Sequence, residues 1–240
     1  MSEVLTIDRH EAYWVLTLNR PEKRNALSAE LVERLLDAVL AAQAEQVPLL
    51  VLRGAGSNFS AGFDFTGFED LSEGDLVLRF IRIETLLQTV AYGACATLAL
   101  AHGGNFGAGV DLIAACRQRW AAPDARFRMP GLKFGLALGT RRLAELVGEQ
   151  HAYDLLESAR GFDAAQAVEI GFLQGVAQTG SWDERIARAR ESVLSLPPAG
   201  RHWLRSLTRG GNPDGDMAAL ARSASQPGLK DRIRAFRATS

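Results

Sequence analysis

His102-Gly103-Gly104-Asn105-Phe106-Gly107-Ala108-Gly109-Val110-Asp111 follows directly on the apolar run Thr97-Leu98-Ala99-Leu100-Ala101. The run reads as a strand buried in a sheet, and the glycine-rich stretch as a turn into a helix starting near Gly107. Small residues there let a ligand approach the main chain closely. Free N–H groups and the helix dipole at such a start favour negative charge. Strand, turn and helix in this order predict an α/β fold rather than an all-helical one. At this point the occupant of the turn stays open, and a tight turn without any ligand remains the plain alternative.

A dinucleotide-binding turn also links strand to helix through glycines. Here Gly104, Gly107 and Gly109 space as G-x-x-G-x-G, not G-x-G-x-x-G. About 100 residues precede the turn, and no acidic strand end follows about 20 residues later, both contrary to that motif.

Toward the N-terminus, Val4 to Ile7 and Ala12 to Leu18 read as two strands separated by the polar Asp8-Arg9-His10-Glu11. Ser28 is a helix N-cap with Leu31, Leu35, Leu36 and Val39 at helical spacing behind it, and that helix ends before Val47-Pro48. Leu49-Leu50-Val51-Leu52-Arg53, ended by Gly54 and Gly56, suits a strand buried on both faces. A second glycine-bearing loop, Phe59-Ser60-Ala61-Gly62-Phe63-Asp64-Phe65, follows that strand, and Leu76 to Val90 is helical in pattern. On the other side, Gln118 to Ala121 reads as a strand. Beyond about Ser181 the patterning is helical only, punctuated by Pro197-Pro198 and Gly210-Gly211-Asn212-Pro213. The expected division is an α/β core over 1–180 and a helical region over 181–240.

Composition narrows the function. The chain has 240 residues, 47% hydrophobic and 23% charged, with a formal net charge of −1. That balance gives no global electrostatic reason to bind nucleic acid or an anionic membrane. The longest apolar run, Ala94 to Ala101, is far shorter than the roughly 20 residues of a membrane span. Cys95 and Cys116 sit among apolar residues and read as buried reduced thiols. Without a signal-peptide pattern at Met1-Ser2-Glu3-Val4, the expected location is cytoplasmic.

Several motifs in order carry a family resemblance. Leu18-Asn19-Arg20-Pro21-Glu22-Lys23-Arg24-Asn25-Ala26-Leu27 resembles the "NRP…NAL" motif of the crotonase (enoyl-CoA hydratase/isomerase) superfamily. Phe59 to Phe65 resembles its "FsaGaDl" loop, and the turn before Asp111 resembles "NGxaxGgGxeL". Ala125 to Pro130, Lys133 to Leu136 and Gly139-Thr140-Arg141-Arg142-Leu143 are similar to "AxFgxPExklGl…GGtqrL", and Ile233 to Phe236 to the terminal "i.aF".

The resemblance implies a spiral of ββα units with a C-terminal helical region that builds trimers or paired trimers. It implies an acyl-CoA thioester substrate, so coenzyme A enters as part of the substrate and no separate cofactor or metal is expected. By position, the backbone N–H groups of Phe63 and Ala108 would form an oxyanion hole for the thioester carbonyl. Losing one such donor costs on the order of 3–4 kcal/mol of transition-state stabilisation. Lys23, Arg24, Ala26 and Leu27, with Ala61, Gly62, Phe63 and Asp64, would line the CoA site. Lys23 and Arg24 equally suit an ordinary solvated basic pair, and Asp64 suits bracing of its own loop.

The sequence departs from the family pattern where hydration chemistry needs it. Family hydratases carry a Glu in "GgGxeL" and another directly after Pro in "PE"; these positions are Asp111 and Gly131. One carboxylate of the pair is thus shortened and the other missing. Asp111 is the candidate catalytic acid or base, against a reading as a dipole-stabilised acid in the first helical turn. Isomerases of the family often take their base from the position of Gly131. The nucleophilic Asp of a benzoyl-CoA dehalogenase would fall near Leu138-Gly139, where no Asp stands. Substitute groups are His102, Glu145 and Glu69; Lys133 reads as a surface or loop-bracing residue, and His10, His151 and His202 show no pairing. Neither a Gly-x-Ser-x-Gly elbow nor a metal-ligand cluster occurs.

The leading expectation is therefore acyl-CoA processing of the hydratase/isomerase type through an oxyanion-stabilised enolate, a lyase-class activity of fatty acid metabolism. The alternative is an acyl-CoA-binding relative with lost or altered activity, including thioester hydrolysis or decarboxylation.

Overall fold

The computed structural model describes residues 3–208 and 210–239. It opens with β1 (Leu5–His10) and β2 (Tyr13–Leu18), paired antiparallel from Leu5↔Leu18 to His10↔Tyr13. Strand β1 continues through Asp8, Arg9 and His10, which the sequence assigns to the connection. Cross-strand contacts explain the extension. The His10 and Tyr13 rings stack with centroids 4.3 Å apart, and the Arg9 guanidinium lies 4.0 Å over the Trp14 ring.

Helix α1 (Ala29–Ala44) starts where expected, the Ser28 hydroxyl accepting the Leu31 N–H at 3.2 Å. Strand β3 (Leu49–Gly54) runs parallel to β2. Helix α2 (Glu73–Tyr92) begins three residues before the apolar periodicity does. Ser72 and Asp75 form a capping box there, satisfying backbone donors ahead of the first buried residue, Leu76. The chain then forms β4 (Ala96–Ala101), β5 (Gly104–Phe106), α3 (Ala108–Ala115), β6 (Gln118–Ala121) and β7 (Arg126–Arg128). Beyond these come α4 (Thr140–Val147), α5 (Glu149–Ser158), β8 (Phe162–Asp163), α6 (Ala164–Glu169) and β9 (Gly175–Val176).

The strands form two sheets. One has six strands in the order β1-β2-β3-β4-β6-β9, parallel except for the β1–β2 pair; the other has three, β5-β7-β8. Successive turns of the chain feed both: β4 then β5, β6 then β7, β8 then β9. This is a spiral of strand–strand–helix turns, as expected. The stretch read as a glycine-rich turn differs in one respect, because its middle, Gly104–Phe106, is a strand paired in parallel with Arg126–Arg128. Three residues flanked by glycines give no period-2 signal, so only the tertiary partner reveals them.

The continuous apolar strand β3 is buried on both faces. Leu50 and Leu52 face the main core shared with α1, α2 and α3, while Leu49 and Val51 face a second layer. Each such side chain contributes roughly 1.5–3 kcal/mol by leaving water. The second layer is α7 (Trp182–Leu194), whose Trp182, Ile186 and Ala189 pack on Val15, Leu98 and Leu100 as well. Helices α8 (Pro198–Thr208), α9 (Pro213–Ala224) and α10 (Leu229–Ala238) complete the chain. Helix α9 packs on α2, and α10 packs on the 3-10 turn Gly131–Phe134. Helix α8 buries no residue and exposes Trp203, Leu204 and Leu207. Among the described residues, no helix is long and apolar enough to cross a membrane.

Trp182 anchors α7 on the sheet, so Trp182→Ala should cost about 3–5 kcal/mol of stability. Urea unfolding would read this as a lowered midpoint at unchanged slope. A loss under about 1 kcal/mol would mean the helix is held elsewhere.

Candidate active site

Two loops leave the same ends of β3 and β4 and are stitched together by main-chain bonds. Phe59 N–H donates to the His102 carbonyl at 3.0 Å, and Phe106 N–H to the Ser60 carbonyl at 3.1 Å. Gly104 N–H donates to Asn58 Oδ1 at 2.7 Å. The contact is so close that side chains are excluded. A Cβ on Gly62 would lie 2.2 Å from the Phe106 carbonyl oxygen and 3.3 Å from the Ala108 nitrogen. A Cβ on Gly109 would lie 2.6 Å from the Ser60 carbonyl oxygen. Gly62 also has φ +81°, a conformation that strains other residues.

This stitching brings the Gly62–Phe63 peptide beside the first residue of α3. Leu27 N–H donates to the Gly62 carbonyl at 2.7 Å and Asp64 N–H to the Leu27 carbonyl at 3.3 Å. That pairing uses the groups on either side of Phe63 and leaves its own N–H unused. Ala108 is the first residue of α3, and its N–H is one of the orphan donors of a helix start. Among the described residues neither N–H has a hydrogen-bond acceptor.

The segment read as lining the CoA site runs alongside. Ala61 N–H donates to the Arg24 carbonyl at 2.8 Å, and Ala26 and Leu27 are buried while Lys23 and Arg24 are exposed. Asp64 braces its own loop. It accepts the Thr66 N–H at 2.9 Å and an Arg20 Nη1 bond at 2.8 Å. Burial opposes its ionisation, but the bonds from Thr66 and Arg20 prevail and lower its pKa.

Asp111 lies in the first turn of α3 and is only 2% exposed, its Oδ1 without a hydrogen-bond partner. A solvated acid that only complements the helix dipole would not be sealed in this way. Burial pushes its pKa well above the ordinary carboxylate value; Arg142 opposes the rise and Glu84 adds to it. Gly139, at φ +64°, makes room for the carboxyl group, since a Cβ there would lie 1.7 Å from Asp111 Oδ1.

Two charged residues that the sequence reading passed over share this pocket of polarity. Glu84 of α2 and Arg142 of α4 are 1% and 7% exposed and form an ion pair at 3.1 Å. Glu84 Oε1 also accepts the Gln88 side-chain amide at 2.9 Å. Burial raises the Glu84 pKa, against the lowering effect of Arg142 and Gln88. A signal was present: Glu84 interrupts the buried stripe of Leu76, Phe80, Ile83 and Leu87 on α2.

The substitute acids and bases fall away. His102 Nε2 is held by the Gly56 carbonyl at 2.9 Å and its ring packs edge-on against Trp182. Glu69 is exposed and ion-paired with Arg234, and Glu145 and Lys133 are exposed. Gly131 brings no titratable group, and a Cβ there would meet the Leu136 carbonyl oxygen at 3.0 Å. Among the described residues, no three His, Cys, Asp or Glu cluster in a way that could hold a metal ion.

The sequence profile described as enoyl-CoA hydratase/isomerase matches residues 8–209, and the chain belongs to this family, within the crotonase superfamily. A sequence relative from Mycobacterium tuberculosis, named "Probable enoyl-CoA hydratase echA6", is 35% identical over 191 residues, 77% of this chain and 76% of its own. The ethylmalonyl-CoA decarboxylase of Pongo abelii is 28% identical over 216 residues, 87% of this chain and 67% of its own. A crystal structure from Bordetella parapertussis, described as a "putative enoyl-CoA hydratase/isomerase", has a TM-score of 0.98 at 59% identity, covering 99% of each chain.

Two consequences of this packing can be measured. Gly139→Ala drives a methyl group into Asp111 at a positive φ, and should cost about 1–3 kcal/mol. Thermal unfolding near wild-type stability would mean that Asp111 moves aside freely. The second concerns pH. The folded pKa of Asp111 is raised above its unfolded value near 4, so its favourable contribution is full below about pH 4 and is lost as pH rises. The Tm of Asp111→Asn minus that of wild type should therefore grow as pH increases; a constant difference would show that Asp111 titrates alike in both states.

Proposed function

We propose that the protein processes an acyl-CoA thioester in the manner of an enoyl-CoA hydratase/isomerase. The thioester carbonyl oxygen accepts from the N–H groups of Phe63 and Ala108, and Asp111 moves the proton at the acyl chain. One observation carries this reading: the close approach at Gly62 sets two unused main-chain donors side by side, with a buried carboxyl one helical turn away. As charge develops on the enolate oxygen, two fixed donors in a site closed to water stabilise it without reorganising. Phe63 and Ala108 serve despite their side chains, because the donors are main-chain groups. The thioester's CoA part runs along Lys23, Arg24, Ala26, Leu27, Ala61, Gly62 and Asp64, with the exposed Lys23 and Arg24 meeting its phosphates. Coenzyme A is part of the substrate, and the chemistry belongs to lyase-type steps on fatty acyl thioesters in the cytoplasm. The exposed Trp203, Leu204 and Leu207 of α8 support a role for the C-terminal helices in assembling a trimer or hexamer.

A second reading keeps the same donors and changes the bond that breaks: loss of CO2 from an acyl-CoA bearing an α-carboxylate. Gly131 favours it over hydration, because hydration in this family uses a carboxylate at that position. The similarity to an ethylmalonyl-CoA decarboxylase points the same way.

Turnover of crotonyl-CoA, a 3-enoyl-CoA and an alkylmalonyl-CoA by the purified protein, beside direct binding of a CoA thioester, tests both readings. Asp111→Asn should lower turnover at least about 100-fold while binding persists, the scale of a lost acid–base group. Unchanged turnover removes Asp111 from the mechanism. Ala108→Pro deletes an N–H and should abolish turnover; full activity would exclude Ala108 as a donor. Binding without turnover of any of the three would leave an acyl-CoA-binding protein.

A further inference from the structure

Three buried polar atoms on two neighbouring helices have no hydrogen-bond partner: Asp111 Oδ1, Thr140 Oγ1 and Arg142 Nη1. They belong to α3 and to the first turn of α4, which pack on each other, and α3 also packs on α2, the helix of Glu84. The charges that meet here can be named element by element. Helix α3 gives Asp111 and α2 gives Glu84, with the neutral Gln88 beside it. Helix α4 gives Arg142, and α9 gives Asp216, which is engaged by Arg141 at 2.8 Å. One buried guanidinium is thus paired with Glu84 and acts through space on the second buried carboxyl group, Asp111. Arg142 Nη2 is committed to Glu84 at 3.1 Å, whereas its Nη1 is buried without a hydrogen-bond partner. A second negative charge in so dry a place is costly unless a cation or a proton neutralises it.

We propose that Glu84 and Arg142 are positioning residues for Asp111: as a unit the three side chains hold one exchangeable proton, which rests on Asp111 while Glu84 occupies Arg142. The second carboxylate of this site then comes from α2 rather than from position 131. It acts on the reaction only through Arg142 and Asp111. The inference rests on the assignment of Asp111 to the proton step.

The chemical consequence is a direction. In the resting protein Asp111 is an acid, so its first available step is delivery. The enolate double-bond electron pair forms the new C–H bond at the α-carbon, and the proton leaves an Asp111 oxygen. The carboxylate that remains is stabilised by the Arg142 guanidinium. Abstraction of an α-proton requires the resting proton to depart first. An enolate made by loss of CO2, or by addition of water to an enoyl thioester, meets an acid already in place.

Infrared difference titration of the whole protein tests this without any turnover. Wild type should show a protonated carboxylic acid carbonyl band at neutral pH, absent in Asp111→Asn. Glu84→Gln, which keeps the shape of the side chain and frees Arg142, should move the midpoint of that band down by about one pH unit or more. Arg142→Met should move it up by a similar amount. Absence of the acid band at neutral pH, or an unshifted midpoint in folded Glu84→Gln, overturns the proposal. Glu84→Gln decides alone if the Arg142 variant does not fold. Where turnover is found, its pH limb should shift in the same directions as the band. Failure of every CoA thioester to turn over would defeat the proposed function while the band still reports on the coupling.

Discussion

Everything at the site depends on one steric constraint, the contact of two backbones at Gly62 and Gly109. There is no space at either position for a Cβ, so the loop after β3 lies directly on the loop after β4. Main-chain hydrogen bonds from Phe59 and Phe106 then hold the loops in register. Backbone atoms fixed on both sides by strands move little, and this rigidity holds the two N–H groups side by side rather than as two loose ends. The same contact explains why the identity of the side chain at Phe63 or Ala108 matters less than the presence of the peptide group.

The second requirement is electrostatic. Asp111, Glu84 and Arg142 are ionisable residues in a region otherwise filled with leucine, phenylalanine and alanine. A buried ion pair is weak support for stability, since desolvation offsets most of its attraction. Glu84 and Arg142 are thus poorly explained as struts; an apolar pair of similar size would pack at least as well. Their placement against an acid with an unsatisfied oxygen gives them a reason to be there. Gly139 belongs to the same arrangement, because its missing side chain is the space that the Asp111 carboxyl group fills.

The fold was largely legible. The apolar runs at 49–53, 97–101 and 118–121 are strands, and Ser28 caps the first helix, because burial on both faces and capping chemistry leave local marks in sequence. The errors lie where the mark is not local. Asp8 to His10 extends β1 through contacts with Tyr13 and Trp14 that no alternation announces. Strands β5, β7 and β8 are two or three residues long, and the pairing of β5 and β8 with β7 joins segments separated in the chain.

The sequence by itself determined the α/β class, the order of strands and helices, and the two glycine loops with Asp111 at the start of a helix. These follow from periodicity, capping and the special backbone freedom of glycine, all properties of residues close together along the chain. Only the tertiary structure decided that Phe63 and Ala108 present unused donors side by side, that Asp111 is sealed from water, and that Glu84 and Arg142 stand with it. The reason is physical: a missing Cβ, a desolvated carboxyl and a buried ion pair depend on distances between elements separated by tens of residues. Such distances arise only when the sheets and helices close on one core.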